Sequence, residues 1–367
     1  MTASPLTVVI ADDSALYRQM LINVLRRIEG VEVVAVASDG REAVARILSL
    51  RPDVVTLDVR MPVMDGISVL RELRKAGSTA RVIMVSSLTG EHDPTTVEAL
   101  MEGAFDHVLK PVGLDPHLAR ESLTHSLGEK MQAIRAVIHP TLGAAAPPLP
   151  APTVPPVQGH TRLYDAVAIG TSTGGPEALR KILPMLPSDL PVPILIVQHM
   201  PPMFTAMLAS RLDEVCPLRV VEAAAGMAAE PGRAHVAAGG LHLRVAHRDR
   251  ALSCTTDDGP SRHGCRPSFD TLLESLADTC GGRVLAVVLT GMGCDGLEGC
   301  TRLKARGGTV LAQSASTCAV YGMPKAVIEH GLADAILPLD AIAGAITTAV
   351  VGGLPTHTPS PLSPARR

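Results

Sequence analysis

Eight residues in this sequence have the types and spacing to do chemistry, and they fall into two groups. In the first, Asp12 and Asp13 directly follow the apolar run Val8–Ala11, and Asp58 follows Val54–Leu57. Carboxylates gathered in one place repel one another unless a cation sits among them, and hard oxygen ligands on short loops suit Mg²⁺. Ser86 and Lys110 end two further apolar stretches, Val82–Val85 and His107–Leu109. A hydroxyl and an ammonium there would complement a phosphoryl group carried on an aspartate. In the second group, Ser172 lies in Gly170-Thr171-Ser172-Thr173-Gly174-Gly175-Pro176, His199 in Gln198-His199-Met200-Pro201, and Asp295 in Gly291-Met292-Gly293-Cys294-Asp295-Gly296. A hydroxyl, an imidazole and a carboxylate are the nucleophile, general base and orienting acid of acyl transfer.

Each residue also has a plainer reading. Asp13, ahead of Ser14-Ala15-Leu16, could cap a helix. The glycine-rich loop around Ser172 could cradle a phosphate, although it lacks the Gly-Lys-Ser/Thr ending of a nucleoside-triphosphate loop. A lone histidine is commonly structural, and an aspartate beside glycines is commonly a turn residue. Gly170-x-Ser172-x-Gly174 also fits the α/β-hydrolase elbow, whose order of serine, acid and histidine would pair Asp295 with His330. His330 ends Ile328-Glu329-His330-Gly331, which reads as a helix C-terminus, so His199 is preferred as the base. Lys110-Pro111 is a bond for which a cis isomer is open.

What makes these residues a set is the elements that must position them. Short apolar runs at Val8–Ala11, Val33–Ala37, Val54–Leu57, Val82–Val85 and His107–Leu109 are separated by amphipathic stretches such as Ala15–Ile28 and Ile67–Lys75. That alternation predicts a doubly wound parallel α/β sheet. Ala166–Ile169, Ile194–Val197 and Val284–Leu289 predict a second α/β sheet of buried parallel strands. All eight residues then lie at carboxyl ends of strands, where open parallel sheets gather ligands. Between the sheets, His139–Gln158 is rich in proline and alanine and reads as a semi-stiff linker. The expected organisation is a first domain over residues 5–125, a linker over 126–161, a second domain over 162–351 and a disordered tail over 352–367.

Composition narrows the function. The 367 residues suffice for two domains, with 46% hydrophobic and 19% charged side chains. A net charge of −3, with 2% aromatics and no Trp, gives no basic or stacking surface for nucleic acid or anionic membrane. No basic start followed by an apolar stretch suggests a signal peptide. The apolar run Ala341–Val351 is shorter than the roughly 20 residues of a membrane span. Seven scattered cysteines, all beyond residue 210, fit reduced thiols in the cytoplasm. Cys265 and Cys294, near the second group, are read as packing residues.

The first block resembles the response-regulator receiver family. The resemblance rests on Asp12-Asp13-Ser14, Asp58-Val59-Arg60-Met61-Pro62, Met64-Asp65-Gly66, Ser86-Ser87, Gly103-Ala104-Phe105-Asp106 and Lys110-Pro111. It implies a flavodoxin-like fold with Asp58 as phospho-acceptor. Asp12, Asp13, Asp58 and the backbone carbonyl of Arg60 would hold Mg²⁺, Ser86 and Lys110 would contact the phosphoryl group, and Phe105 would be the aromatic switch. Arg60 is an unusual side chain there.

The second block resembles the catalytic domain of the chemotaxis protein-glutamate methylesterases, the CheB family, which implies a Rossmann-like α/β fold. The motifs are those around Ser172, His199 and Asp295, with Cys265-Arg266-Pro267-Ser268-Phe269-Asp270 and Tyr321-Gly322-Met323-Pro324. Phe269 stands where the family often has a smaller aliphatic, and Ser314-Ala315-Ser316 replaces a more acidic stretch. The resemblance implies Ser172 as nucleophile, His199 as base, Asp295 as its partner, and backbone N–H groups of Thr173 and Met292 as the oxyanion hole. It further implies a methylesterase, with glutamine deamidation beside it, that needs no cofactor for the esterase step and is switched on by phosphorylation of Asp58. Its partners would be methyl-accepting chemoreceptors and a chemotaxis histidine kinase, with membrane contact only through the receptors. A phospho-dependent adaptor with an inactive esterase-like domain is the alternative, and a DNA-binding output domain is disfavoured by the lack of a basic helix.

Overall fold

The computed structural model describes residues 4–87, 95–111, 113, 115–139, 164–248 and 251–352. Of the expected linker over 126–161, residues 140–161 lie outside the described residues, as does the tail beyond 352.

In the N-terminal domain, strands and helices alternate as β1 (Leu6–Ala11), α1 (Ala15–Leu25), β2 (Val31–Ala37), α2 (Gly40–Leu50), β3 (Val54–Asp58), α3 (Gly66–Lys75), β4 (Arg81–Ser87), α4 (Thr95–Met101), β5 (Asp106–Lys110) and α5 (Pro116–Ile138). The strands pair in parallel in the order β2-β1-β3-β4-β5. Every residue of central β3 is buried, as expected of a strand covered by helices on both faces. Ser14, Asp39 and Asp65 cap α1, α2 and α3 by accepting backbone N–H groups. The cap of α1 is thus Ser14 and not Asp13. The expected boundary at residue 125 falls inside α5, which continues to Ile138. Met131, Ala133 and Ile134 are buried, and Arg135 donates to the carbonyls of Glu29 and Gly30 at 2.8 and 2.7 Å. Its apolar side continues past the expected end, so the helix does too.

The C-terminal domain runs β6 (Ala166–Thr171), α6 (Gly175–Ile182), β7 (Ile194–Gln198), α7 (Pro202–Asp213), β8 (Arg219–Glu222), β9 (Arg233–Val236), β10 (His242–Arg248), β11 (Ala251–Asp257), α8 (Phe269–Cys280), β12 (Val284–Val288), α9 (Leu297–Ala305), β13 (Thr309–Gln313), α10 (Met323–Glu329), β14 (Ala335–Leu337) and α11 (Leu339–Val351). Seven strands form a parallel sheet in the order β14-β13-β12-β6-β7-β9-β8. The antiparallel hairpin β10–β11, which the sequence reading did not anticipate, stands apart and packs on α8. The apolar run near the C-terminus is α11, with Ile342, Ala343 and Ile346 buried in the core. No helix among the described residues is long and apolar enough to cross a membrane.

Candidate active site

The sheet order explains how Ser172, His199 and Asp295 come to lie at the ends of neighbouring strands. β6 is the first strand of its domain, with β12 on one side and β7 on the other, so the chain leaves it in both directions. Such a switch point opens a crevice at the carboxyl ends. Ser172 follows β6, His199 follows β7, and Asp295 lies on the loop after β12.

Ser172 sits on a tight bend. Gly174 has φ +78°, a conformation that favours glycine, and N-caps α6 directly afterwards. Gly291 crosses so close that a Cβ there would lie 2.9 Å from Ser172 Cβ. Thr290 ties the bend down. Its carbonyl accepts from Ser172 N at 3.1 Å and Thr171 Oγ1 at 2.8 Å, and its hydroxyl donates to the Thr173 carbonyl at 3.0 Å. Gln198 Nε2 donates to the carbonyls of both Ser172 and His199, at 3.0 and 3.2 Å, joining the two strand ends. The backbone N–H groups of Thr173 and Met292 donate no hydrogen bond among the described residues.

His199 Nε2 lies 2.7 Å from Asp295 Oδ2. Asp295 is buried at the N-terminus of α8, where the Ser268 hydroxyl and the backbone N–H groups of Phe269 and Asp270 donate to it at 2.7, 2.6 and 3.0 Å. Burial penalises this carboxylate, but those donors and His199 hold it well below the usual range. For His199, burial opposes the charge. The hydrogen bonds to Asp295 and Cys265 prevail and raise it to about 9.

The sequence reading missed two residues here. Ser268 carries the signal of a helix cap, a serine ahead of an apolar run with an aspartate two residues on. Cys265, expected only to pack, puts Sγ 3.5 Å from His199 Nδ1, the ring nitrogen that Asp295 leaves free. Cys294 likewise sits 3.9 Å from His263 Nδ1. Both are partly exposed, and all seven cysteines are free. His330 is not brought to the site, because it closes α10 with Nδ1 2.8 Å from the Ala326 carbonyl.

The first group also converges. Asp12, Asp13 and Asp58 each offer a carboxylate oxygen within 4.8 Å of the others. Lys110 Nζ lies 2.7 Å from both Asp12 Oδ2 and Asp58 Oδ2. Burial raises the Asp58 carboxyl above its ordinary range despite Lys110 and the backbone N–H of Arg60. Burial also opposes the Lys110 charge, but the two aspartates outweigh it and hold the ammonium above the usual lysine range. Ser86 Oγ is buried with no hydrogen bond among the described residues, and Phe105 is buried. The cis peptide among the described residues is Arg266-Pro267, not Lys110-Pro111; its two carboxylate partners place Lys110 without it.

The two groups are linked by a packed face. Thr173, next to Ser172, donates its hydroxyl to Asp106 Oδ2 at 2.6 Å, and Lys130 Nζ lies 2.9 Å from the same oxygen. Arg180 Nε donates to the Met101 carbonyl at 2.6 Å, and His107 meets Phe204 edge-on at 5.2 Å. Val320 and Met292 pack into the hydrophobic cluster that contains Phe105, Val108 and Leu127.

Comparison with known proteins agrees with this architecture. A relative from Symbiobacterium thermophilum, a protein-glutamate methylesterase/protein-glutamine glutaminase, is 43% identical over 95% of this chain and 98% of its own. The chain belongs to that methylesterase family. A second member with the same name, from Desulfotalea psychrophila, is 39% identical over 94% of this chain and 98% of its own. The CheB methylesterase family model matches residues 167–346, and the response regulator receiver domain model matches residues 8–120. The N-terminal domain is therefore a receiver, and the Ser172 crevice lies in the methylesterase domain.

Proposed function

We propose that the chain is a phosphorylation-controlled hydrolase of glutamyl methyl esters on chemoreceptors. The observation that carries this reading is the His199–Asp295 hydrogen bond, with the two residues and Ser172 at the ends of three neighbouring strands. Because Asp295 holds Nε2, the base nitrogen is Nδ1, which takes the Ser172 proton once it leaves Cys265. Ser172 Oγ attacks the ester carbonyl, and the N–H groups of Thr173 and Met292, which lack other acceptors, face the oxyanion. The tetrahedral species expels methanol, which takes the proton from His199. Water then attacks the acyl-enzyme by the same route, freeing the glutamate carboxylate and Ser172 Oγ–H. A glutamine side chain would pass through the same acyl-enzyme with ammonia leaving.

Asp58 is the phospho-acceptor in this reading. Asp12, Asp13, Asp58 and the Arg60 carbonyl would hold Mg²⁺, and the unpartnered Ser86 hydroxyl fits a phosphoryl contact beside Lys110. When bound, Mg²⁺ supplies charge neutralisation for phosphoryl transfer from a histidine kinase. The unphosphorylated receiver restrains the esterase, supported by the Asp106–Thr173 bond one residue from the nucleophile.

The test is methanol release from methylated receptor membranes by the intact chain and by Ser172→Ala, each with Mg²⁺ and with or without a small phosphodonor. Release that the donor stimulates and the substitution abolishes is expected. Equal release from both proteins would remove Ser172 as nucleophile, and no release from either would favour a phospho-dependent adaptor.

A further inference from the structure

Behind the triad, three elements bring metal-ligating side chains together. His263 lies on the loop before α8, Asp270 in the first turn of α8, and Glu298 in the first turn of α9, each with one donor atom within 4.8 Å of the others. His263 Nε2 is 3.3 Å from Asp270 Oδ2 and 4.0 Å from Glu298 Oε1. Asp270 is fully buried. Its Oδ1 accepts the Gly299 N–H at 2.7 Å, but among the described residues its Oδ2 takes no hydrogen bond. A buried carboxylate oxygen left this way calls for a positive partner. Arg262 acts on it only at a distance, since its guanidinium pairs directly with Glu274 Oε1 at 2.7 Å and with Glu298 Oε2, leaving Glu298 Oε1 to the cluster.

The spacing and donor set point to an ion. Two ligands at zinc distances and a tetrahedral angle lie about 3.3 Å apart, matching the His263–Asp270 separation. Glu298 is exposed and has the side-chain freedom to close the wider gap. One imidazole nitrogen with two carboxylate oxygens suits a zinc-class ion over Mg²⁺ or Ca²⁺, which prefer oxygen alone. The other ring nitrogen, Nδ1, faces Cys294 Sγ at 3.9 Å, a neighbour able to steady the ring.

We propose that His263 Nε2, Asp270 Oδ2 and Glu298 Oε1 bind a divalent transition metal of the zinc class, with water completing its coordination. The site is separate from the receiver acids and independent of the esterase reading. It abuts the triad at two places: Asp270 neighbours Asp295, its backbone N–H donating to Asp295 Oδ1, and Cys265 lies between the His263 carbonyl and His199 Nδ1.

The experiment uses the full chain with excess Mg²⁺ present to occupy the receiver acids. Zn²⁺ binding is measured by competition with a chromophoric chelator, and Co²⁺ serves as the spectroscopic probe. One equivalent of Zn²⁺ should bind in the micromolar range. His263→Ala and Glu298→Ala, both at exposed positions, should each weaken it by at least about tenfold while thermal unfolding stays cooperative. Bound Co²⁺ should show visible d–d bands without a thiolate charge-transfer band. Absence of stoichiometric binding would reduce the cluster to a His263–Asp270 ion pair. Binding that survives both substitutions, or a thiolate-to-cobalt band, would place the metal elsewhere and overturn the proposal.

Discussion

At the scale of single residues, the chemistry turns on what His199 touches. A general base must be neutral to accept a proton, so turnover rises as pH passes upward through the imidazole pKa, held near 9 while Asp295 and Cys265 both engage the ring. Cys265→Ala removes one of those two partners and leaves Asp295. The acid limb of the kcat/KM profile should therefore move to lower pH, with activity at neutral pH raised; an unmoved limb would show that Cys265 leaves the ring before substrate binds. Ser268→Ala takes one donor from a buried carboxylate that keeps two backbone N–H groups. Such a loss costs about 1–2 kcal/mol, so kcat should fall roughly tenfold with KM little changed.

At the scale of elements, β9 carries a pH-sensitive residue unrelated to catalysis. His235 is fully buried with neither ring nitrogen hydrogen-bonded among the described residues, and burial pushes it down to about 4. Below pH ~6.5 the unfolded chain binds a proton that the folded chain refuses, so stability falls between that pH and about 4. The full loss is of the order of 3 kcal/mol, and urea titrations at pH 7 and pH 5 should show the early part of it. His235→Leu should narrow the difference between the two midpoints. The strands that position both groups of residues were legible because buried parallel strands are short apolar runs. β1, β3, β6, β7 and β12 begin within two residues of the positions read from sequence. The short strands β8 and β14 and the hairpin β10–β11 were not, since their residues alternate weakly and gain their order from neighbours. The extent of α5 was missed because the proline- and alanine-rich stretch that follows it drew the boundary too early, whereas its packing on α1 and β5 carries the helix on to Ile138. Ser172, His199 and Asp295 could be named from residue type at strand ends, whereas the reach of Cys265 to His199 depends on how a remote loop folds back.

At the scale of the whole molecule, the two domains share one packed face, and its polar contacts are few and specific. Asp106→Asn keeps the size of the side chain but removes the charge that Thr173 and Lys130 meet, and Arg180→Ala removes the bond to Met101. Each should raise methanol release by the unphosphorylated chain toward the level reached with phosphodonor, while leaving that upper level nearly unchanged. If both variants stayed at the wild-type basal rate, this face would not be the restraint.

Strand β5 has Asp106 at its first residue and Lys110 at its last. One five-residue segment, roughly 13 Å long at strand rise, thus holds the catalytic domain at one end and the phosphoryl pocket at the other. Coupling through such a segment is thermodynamically reciprocal. If a phosphoryl mimic such as beryllofluoride weakens docking by some factor, docking weakens the mimic by the same factor. The catalytic domain is then an effector of its own regulator, and the Arg180→Ala chain should bind beryllofluoride with Mg²⁺ more tightly than the wild type does.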